Sequence, residues 1–386
     1  MQFNDIEIKI ENEISSLQEC WTDLAAAGTS QCFQSFEWVR CWVTTIGEPF
    51  QKNCLFVVLT VKQKVVLILP LVIENQKWGA CLTFLGKPVT DLYGPIFCHE
   101  FSQKVPSHMW KVLWAQILIR IRVVANFDYI HIFQIPSKIG GIVNPLFHLA
   151  TPNVGKFSYL RNLESSFGDF QGKVIKPRMA ADSRRCLRKL SEIGNVTFRK
   201  IGNDLEGLKI VDWLLTQKHL QLCFLHQVSI FEQVAVRNFF MALLSHEEIS
   251  DLSAIFVGDE VVAAHFGAIA NKKFCYLIPA HLGGVWSKYS VGRLLLEWLF
   301  ERSIKRGDLQ FDFTIGAEVY KDTWCNENVQ LASLVGSASF QGFVFCTAYR
   351  LREVSLQFLA AFLSLSNWAK KKKYRYNTQL TRGRKG

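Results

Sequence analysis

Short runs of apolar residues with a two-residue period alternate along the chain with longer runs of helical period, and their order predicts an α/β protein of the mixed α+β kind. In the first half, residues 3–10 read as a strand, 14–27 as a helix and 33–42 as a short aromatic helix. Two apolar runs, 55–61 and 65–73, flank Lys62, Gln63 and Lys64, the pattern of a hairpin. A strand at 81–85 and the segment Asp91-Leu92-Tyr93-Gly94-Pro95-Ile96 follow. An amphipathic helix is expected from about 107 to 123 and a strand at 129–134, and the stretch from Gly140-Gly141 to Pro152 reads as loop.

A second series begins near Pro177. A basic helix (183–192) leads into a strand (196–200), two helices (205–222 and 230–244) and three strands (252–257, 261–269, 274–279). Gly258-Asp259-Glu260 and Asn271-Lys272-Lys273 supply the turns between those strands. A helix at 291–305, ended by Gly307, precedes strands at 309–314 and 329–336, an amphipathic helix from about 347 to 370, and a basic tail. Both halves run helices, a meander of strands, a helix and another strand. No residue-level repeat is detectable, so any duplication lies in topology. We expect two domains, 1–172 and 173–386, with the basic tail at 370–386.

Length and composition agree with this. The 386 residues exceed the usual reach of one hydrophobic core, and 49% hydrophobic against 20% charged residues exclude a disordered chain. The start, Met1-Gln2-Phe3-Asn4-Asp5-Ile6-Glu7, has no apolar export core, and the apolar run at 54–73 is broken at Lys62 to Lys64. A cytoplasmic protein that does not span the membrane is therefore expected. Eleven cysteines at irregular spacing, with no Cys-x-x-Cys, read as buried thiols, and no metal site is expected. Much of the net charge of +11 sits in Lys370 to Lys373, Arg375, Arg382, Arg384 and Lys385, so specific nucleic-acid binding is not implied.

Candidate chemistry lies between Phe274 and Trp324. The strand Phe274-Cys275-Tyr276-Leu277-Ile278 ends at Pro279, and the loop Gly283-Gly284-Val285-Trp286-Ser287-Lys288-Tyr289-Ser290-Val291-Gly292-Arg293 opens a helix. The first amides of such a helix favour an anion such as a diphosphate. Ser290 reads as the N-cap, Gly292 lets a phosphate approach, and Arg293 and Lys288 add charge. On these residues alone an ordinary loop with a capped helix is the commoner reading, because many helices start this way. Asp312 lies in a strand between Phe311 and Phe313, where a carboxylate needs partners. It is either a tuned acid or a cap on nearby backbone. Glu318, Tyr320 and Lys321 follow the Gly316 turn, where Tyr suits proton donation and Lys suits holding an anion.

The order of strand, phosphate-type loop, helix, acid-bearing strand and Tyr-Lys resembles a GNAT acyltransferase. More narrowly it resembles the CelD/BcsL-type cellulose biosynthesis acetyltransferases, relatives of the FemABX peptidoglycan ligases. The segments that carry the resemblance are Phe33-Gln34-Ser35-Phe36-Glu37-Trp38 with Trp42, Leu69-Pro70-Leu71 and Asp91-Leu92-Tyr93-Gly94-Pro95 in the first half. In the second half they are Arg184-Arg185-Cys186-Leu187-Arg188-Lys189-Leu190 with Gly194, Val262-Ala263-Ala264-His265-Phe266-Gly267, Tyr289-Ser290-Val291-Gly292, and Phe311-Asp312-Phe313 with Gly316, Glu318, Tyr320, Lys321 and Trp324.

The resemblance implies two tandem GNAT-like domains, each a mixed, mostly antiparallel sheet flanked by helices. It also implies acetyl-CoA or another acyl-CoA as co-substrate, entering where strands of the second domain splay beside Cys275, Tyr276, Leu277 and Ile278. The GNAT diphosphate loop reads Gln/Arg-x-x-Gly-x-Gly/Ala; the matching positions here are Ser287, Ser290 and Gly292, so only the last glycine is kept. By the same resemblance Tyr320 protonates the departing CoA sulfur, Lys321 contacts the reacting carbonyl, and Asp312 or Glu318 assists deprotonation of the acceptor. Asp91 and Tyr93, with Trp38 and His265, are expected to line the acceptor cleft.

The implied activity is N- or O-acyl transfer to a polar acceptor such as a sugar, polysaccharide or cell-envelope precursor. The alternatives are a Fem-like transferase using aminoacyl-tRNA and a non-catalytic GNAT-like module in exopolysaccharide production. Leu351, Val354, Phe358, Leu359 and Phe362 recur at helical spacing before Trp368 and the lysines. That pattern is compatible with a peripheral contact at the anionic inner face of the membrane, or with a core-packing helix.

Overall fold

The computed structural model describes every residue except 1–4, 28, 30, 317, 319 and 357–386, and the side chain of residue 27. The first half contributes strand β1 (Ile6–Glu11), helices α1 (Gln18–Ala27) and α2 (Phe36–Trp42), and strands β2 (Asn53–Val61), β3 (Lys64–Gln76) and β4 (Gly79–Phe84). Helix α3 (Ser107–Val124) and strands β5 (Tyr129–Pro136) and β6 (Thr151–Asn162) follow, with a short helix at His99–Lys104 and a small separate hairpin of Lys138–Ile139 with Ile142–Val143. Helices α4 (Phe167–Val174) and α5 (Pro177–Ser191) lead to β7 (Val196–Ile201), α6 (Leu205–Phe224), α7 (Val234–Leu244), β8 (Ser250–Val257), β9 (Glu260–Ala270) and β10 (Lys273–His281). Helix α8 (Val291–Arg306), strand β11 (Gln310–Asp312), a single helical turn at Lys321–Trp324 and strand β12 (Glu327–Ser337) follow. A last described helix spans 340–356, beginning earlier than the pattern predicted. The expected domain boundary falls within α4.

Local chemistry explains the elements. Lys62 and Gln63 both take positive φ in the tight β2–β3 turn, the geometry that matches strand twist in a two-residue hairpin. Ser35, Ser166 and Asp204 accept amide bonds at the starts of α2, α4 and α6, and Gly307 closes α8 in the left-handed region.

Strands β1 to β12 join one sheet in the order β1-β2-β3-β4-β5-β12-β6-β11-β10-β9-β8-β7, with a thirteenth, short strand (Ile96–Phe97) beside β3. Only β4–β5 and β10–β11 pair in parallel; every other pair along this path is antiparallel. The order reads the same from either end: an antiparallel meander, a parallel neighbour, then a strand from the other half. β12, late in the chain, pairs with β5, and β6, from the first half, pairs with β11. The halves have thus exchanged their last strands.

Helices cover both faces. α1, α2, α6 and α7 share one core on one face, where Trp38 of the first half meets Phe239 of the second edge-on at 5.0 Å. On the other face α3 packs on the first half, and α4, α5 and α8 pack on the second.

Candidate active site

β10 and β11 stay paired for only three residues, Lys273 with Gln310, Phe274 with Phe311 and Cys275 with Asp312. β10 then runs on to His281, whereas the other strand ends and turns away through Thr314 at φ 55° and Gly316 at φ 102°. The register between β9 and β10 also slips, with Phe266 opposite Ile278 and Gly267 opposite Tyr276, so Leu277 is the extra residue of a bulge. A gap opens where the strands part. It is a cleft of about 880 Å³, lined by Tyr276 and Leu277 from one strand, Phe313 to Gly316 from the turn, and Ser290 to Arg293 from the start of α8.

At that helix start the Ser290 carbonyl takes the amides of Arg293 (2.9 Å) and Leu294 (3.1 Å). Val291 and Gly292, the first two helical residues, have no carbonyl a turn earlier in the helix to bond, and both line the cleft. Ser290 itself does not cap with its side chain, contrary to expectation. Its backbone is left-handed (φ 50°), and no side-chain bond reaches the helix amides. Gly292 is needed for a close approach: a Cβ there would lie 2.9 Å from the His281 ring. Arg293 lines the cleft but is held by Asp182 (2.6 Å) and Glu297 (3.6 Å).

Asp91, Glu318, Tyr320 and Lys321 meet at the other part of the cleft. Asp91 accepts a 2.7 Å bond from the Thr314 hydroxyl; burial pushes its carboxyl up to about 6, against the pull of that bond and of the Lys321 charge. Lys321 is 3% exposed and donates to the carbonyls of Phe313 (3.0 Å), Ile315 (2.5 Å) and Gly316 (3.2 Å), while pairing with Glu318 at 2.9 Å. Partial burial raises the Glu318 carboxyl, but the bond and charge from Lys321 outweigh it and leave it below its ordinary value. Tyr320 is half-exposed, and its phenol is raised by burial first and by Glu318 second, so it keeps its proton at neutral pH.

Other expected site residues lie elsewhere. Asp312 faces away from the cleft, accepting from Ser158 (3.3 Å), Lys273 (3.3 Å) and the Thr314 amide (2.7 Å), because strand alternation sends Phe311 and Phe313 to the opposite side. Trp38 is fully buried and donates to Thr90 at 2.9 Å. Tyr93 is enclosed between Phe84 and Phe133. His265 is buried and stacked on Tyr276, and its Nε2 accepts the Leu277 amide at 3.2 Å, so the bulge amide is already occupied. Ile278 is core, and Cys275 lies with its sulfur 3.0 Å from that of Cys32. Lys288 is exposed and sits over the Tyr289 ring. Sequence reasoning passed over Lys218, Gln221 and His281, all of which line the cleft. The available signal was Lys218 one turn beyond Leu214 and Leu215 on an otherwise apolar helix face.

Residues 177–322 match the family model of the acetyltransferase (GNAT) domain, so the second half carries a GNAT-fold domain. The chain is similar in fold to FemX, at 9% identity and TM-score 0.59, covering 85% of this chain and 97% of that one. It is similar also to a conserved protein of unknown function from Bacteroides thetaiotaomicron VPI-5482, at 12% identity and TM-score 0.55, covering 86% and 100% of the two chains. A third structure, the C-terminal domain of a proposed lysylphosphatidylglycerol synthetase from Agrobacterium fabrum, has 11% identity and TM-score 0.50, covering 89% and 97%. At these identities the likeness is one of fold. No match is found among curated protein sequences.

Proposed function

We propose that the protein transfers an acyl group from acyl-CoA to an amine or hydroxyl of a polar acceptor. The observation that carries this reading is one cleft lined both by the first amides of α8 and by Tyr320. The amides of Val291 and Gly292 hold the CoA diphosphate at the positive end of the helix. The pantetheine follows the freed edge of β10, and the thioester lies between the parted strands. Attack by the acceptor forms the new C–N or C–O bond as the C–S bond breaks. Asp91 takes the acceptor's proton and Tyr320 gives one to the departing sulfur. Asp91 replaces Asp312 in this role because Asp312 points out of the cleft. Lys321 acts by fixing the turn that presents Tyr320. The finer likeness to CelD/BcsL-type enzymes, and with it a saccharide or cell-envelope acceptor, rests on the sequence motifs.

One observation favours aminoacyl-tRNA as donor instead. Lys176 and Arg178 at the start of α5, with Arg185 two turns on, border a surface hollow that reaches Arg293 beside the cleft; Asp182 pairs with Arg185 and Arg293 there, and the excess of positive charge suits a larger polyanion. Isothermal titration with acetyl-CoA and with charged tRNA decides between the two donors. Acetyl-CoA binding without tRNA binding is the expected result, and the reverse overturns it. Binding of neither by folded protein favours a non-catalytic module.

A further inference from the structure

The cleft passes through the sheet. α8 packs on the face that carries Val262, Phe274 and Tyr276, and α6 packs on the opposite face against Ala264, Phe266 and Ala268. Both helices nevertheless line the same space, one through Gly292 and the other through Lys218. The parted strands therefore connect a diphosphate-type end on one face with a chamber under α6 on the other.

Among the described residues, three cationic side chains line this passage: Arg293, Lys321 and Lys218. The first is paired with Asp182 and Glu297, and the second with three carbonyls and Glu318. Lys218 makes no hydrogen bond or ion pair with any described residue. Withdrawing an ammonium from water without a partner costs free energy, and burial accordingly pulls this group below the ordinary lysine range, with Glu318 opposing and Lys321 adding to the fall.

We infer that Lys218 seats an anionic group, a carboxylate or phosphate, carried by the acceptor. The word acceptor rests on the acyl-transfer reading; the anion seat does not. The CoA diphosphate is served by the helix amides on the far face, so the charge that Lys218 meets belongs to the molecule entering under α6. A compact ammonium suits either anion as a point charge. The acceptor class is then a small acid or phosphate ester with its amine or hydroxyl a few bonds from the charge.

Amine acetylation of the full-length wild-type protein by limiting acetic anhydride, mapped by peptide mass spectrometry, tests the seat. Lys218 is expected among the earliest lysines modified. Inorganic phosphate or acetate protects it, whereas glycerol and an equal ionic strength of chloride do not, and the better protector identifies which anion is native. Late modification, or no protection by either anion, overturns the proposal. Titration calorimetry of Lys218→Gln gives the second readout. The protecting anion binds about 10-fold more weakly or worse, while the unfolding midpoint without anion is kept or raised. Unchanged affinity overturns the seat. Protection of Lys218 in a protein that does not bind acetyl-CoA keeps the seat and removes the acyl-CoA reading.

Discussion

In the acyl-transfer reading we propose, Asp91 and Tyr320 divide the proton chemistry of the cleft, because their surroundings move them in useful directions. Burial brings the Asp91 carboxyl to about 6, where it is a base with appreciable driving force near neutrality. Activity is expected to rise with pH through about 6 in a kcat/KM profile, and Asp91→Asn lowers kcat by ~10²-fold or more. The same substitution changes stability with a definite sign. The folded-state value lies above the ordinary 3.8, so the wild type is penalised for a buried charge progressively as pH rises from there through about 6. Asp91→Asn therefore melts higher than wild type at pH 8, and the difference vanishes at acid pH; a lower midpoint at pH 8 contradicts this. Tyr320→Phe should lower kcat by ~10²-fold with acyl-CoA affinity kept, because it removes a proton donor and little packing. Single-turnover measurement with unchanged rate removes Tyr320 from the role.

Two elements make the site: the short pairing of β10 with β11, and the turn from Phe313 to Gly316. The turn includes two positive-φ residues, one of them the non-glycine Thr314, which needs support from its surroundings. Lys321 supplies it through three carbonyl bonds, and Asp91 and Asp312 add bonds to Thr314. Lys321→Met leaves those carbonyls unpaired and should destabilise by roughly 2–3 kcal/mol in urea unfolding. It should also lower kcat, since Tyr320 loses its fixed position. Full stability in this variant shows that the turn holds itself.

At the scale of the molecule, exchanged strands and a shared helical core tie the halves together. β12 lies between β5 and β6, and Trp38 is seated among residues of α7. Calorimetry is expected to show a single cooperative transition, and fragments 1–172 and 173–386 to fold only when co-expressed. Two resolved transitions contradict this. On the helix 340–356, Phe340, Phe343, Leu351 and Val354 are exposed, and no described helix is long and apolar enough to cross a membrane. We propose that this apolar surface and the basic tail contact an anionic bilayer. Residues 357–386 lie outside the described residues. Flotation with anionic liposomes is expected for the full chain and reduced without residues 370–386; equal flotation of both forms rejects the tail's part.

The sequence by itself passed over the central strand β6 and helix α4, but it determined most of the elements, the topological repeat, the loop before α8 and the turn that carries Tyr320. Each of these is written in local periodicity, turn residues and spacing, which act over a few residues. The tertiary structure alone decided the rest. It opened the cleft on the Phe313 side of β11 and so left Asp312 outside it, buried Trp38 and Tyr93 in the core, and spent the Leu277 amide on His265. It also brought Asp91 to Thr314 across 223 positions and set Lys218 in the passage. Which face a side chain takes, and what burial does to its charge, depend on partners distant in the chain, and no local pattern encodes those.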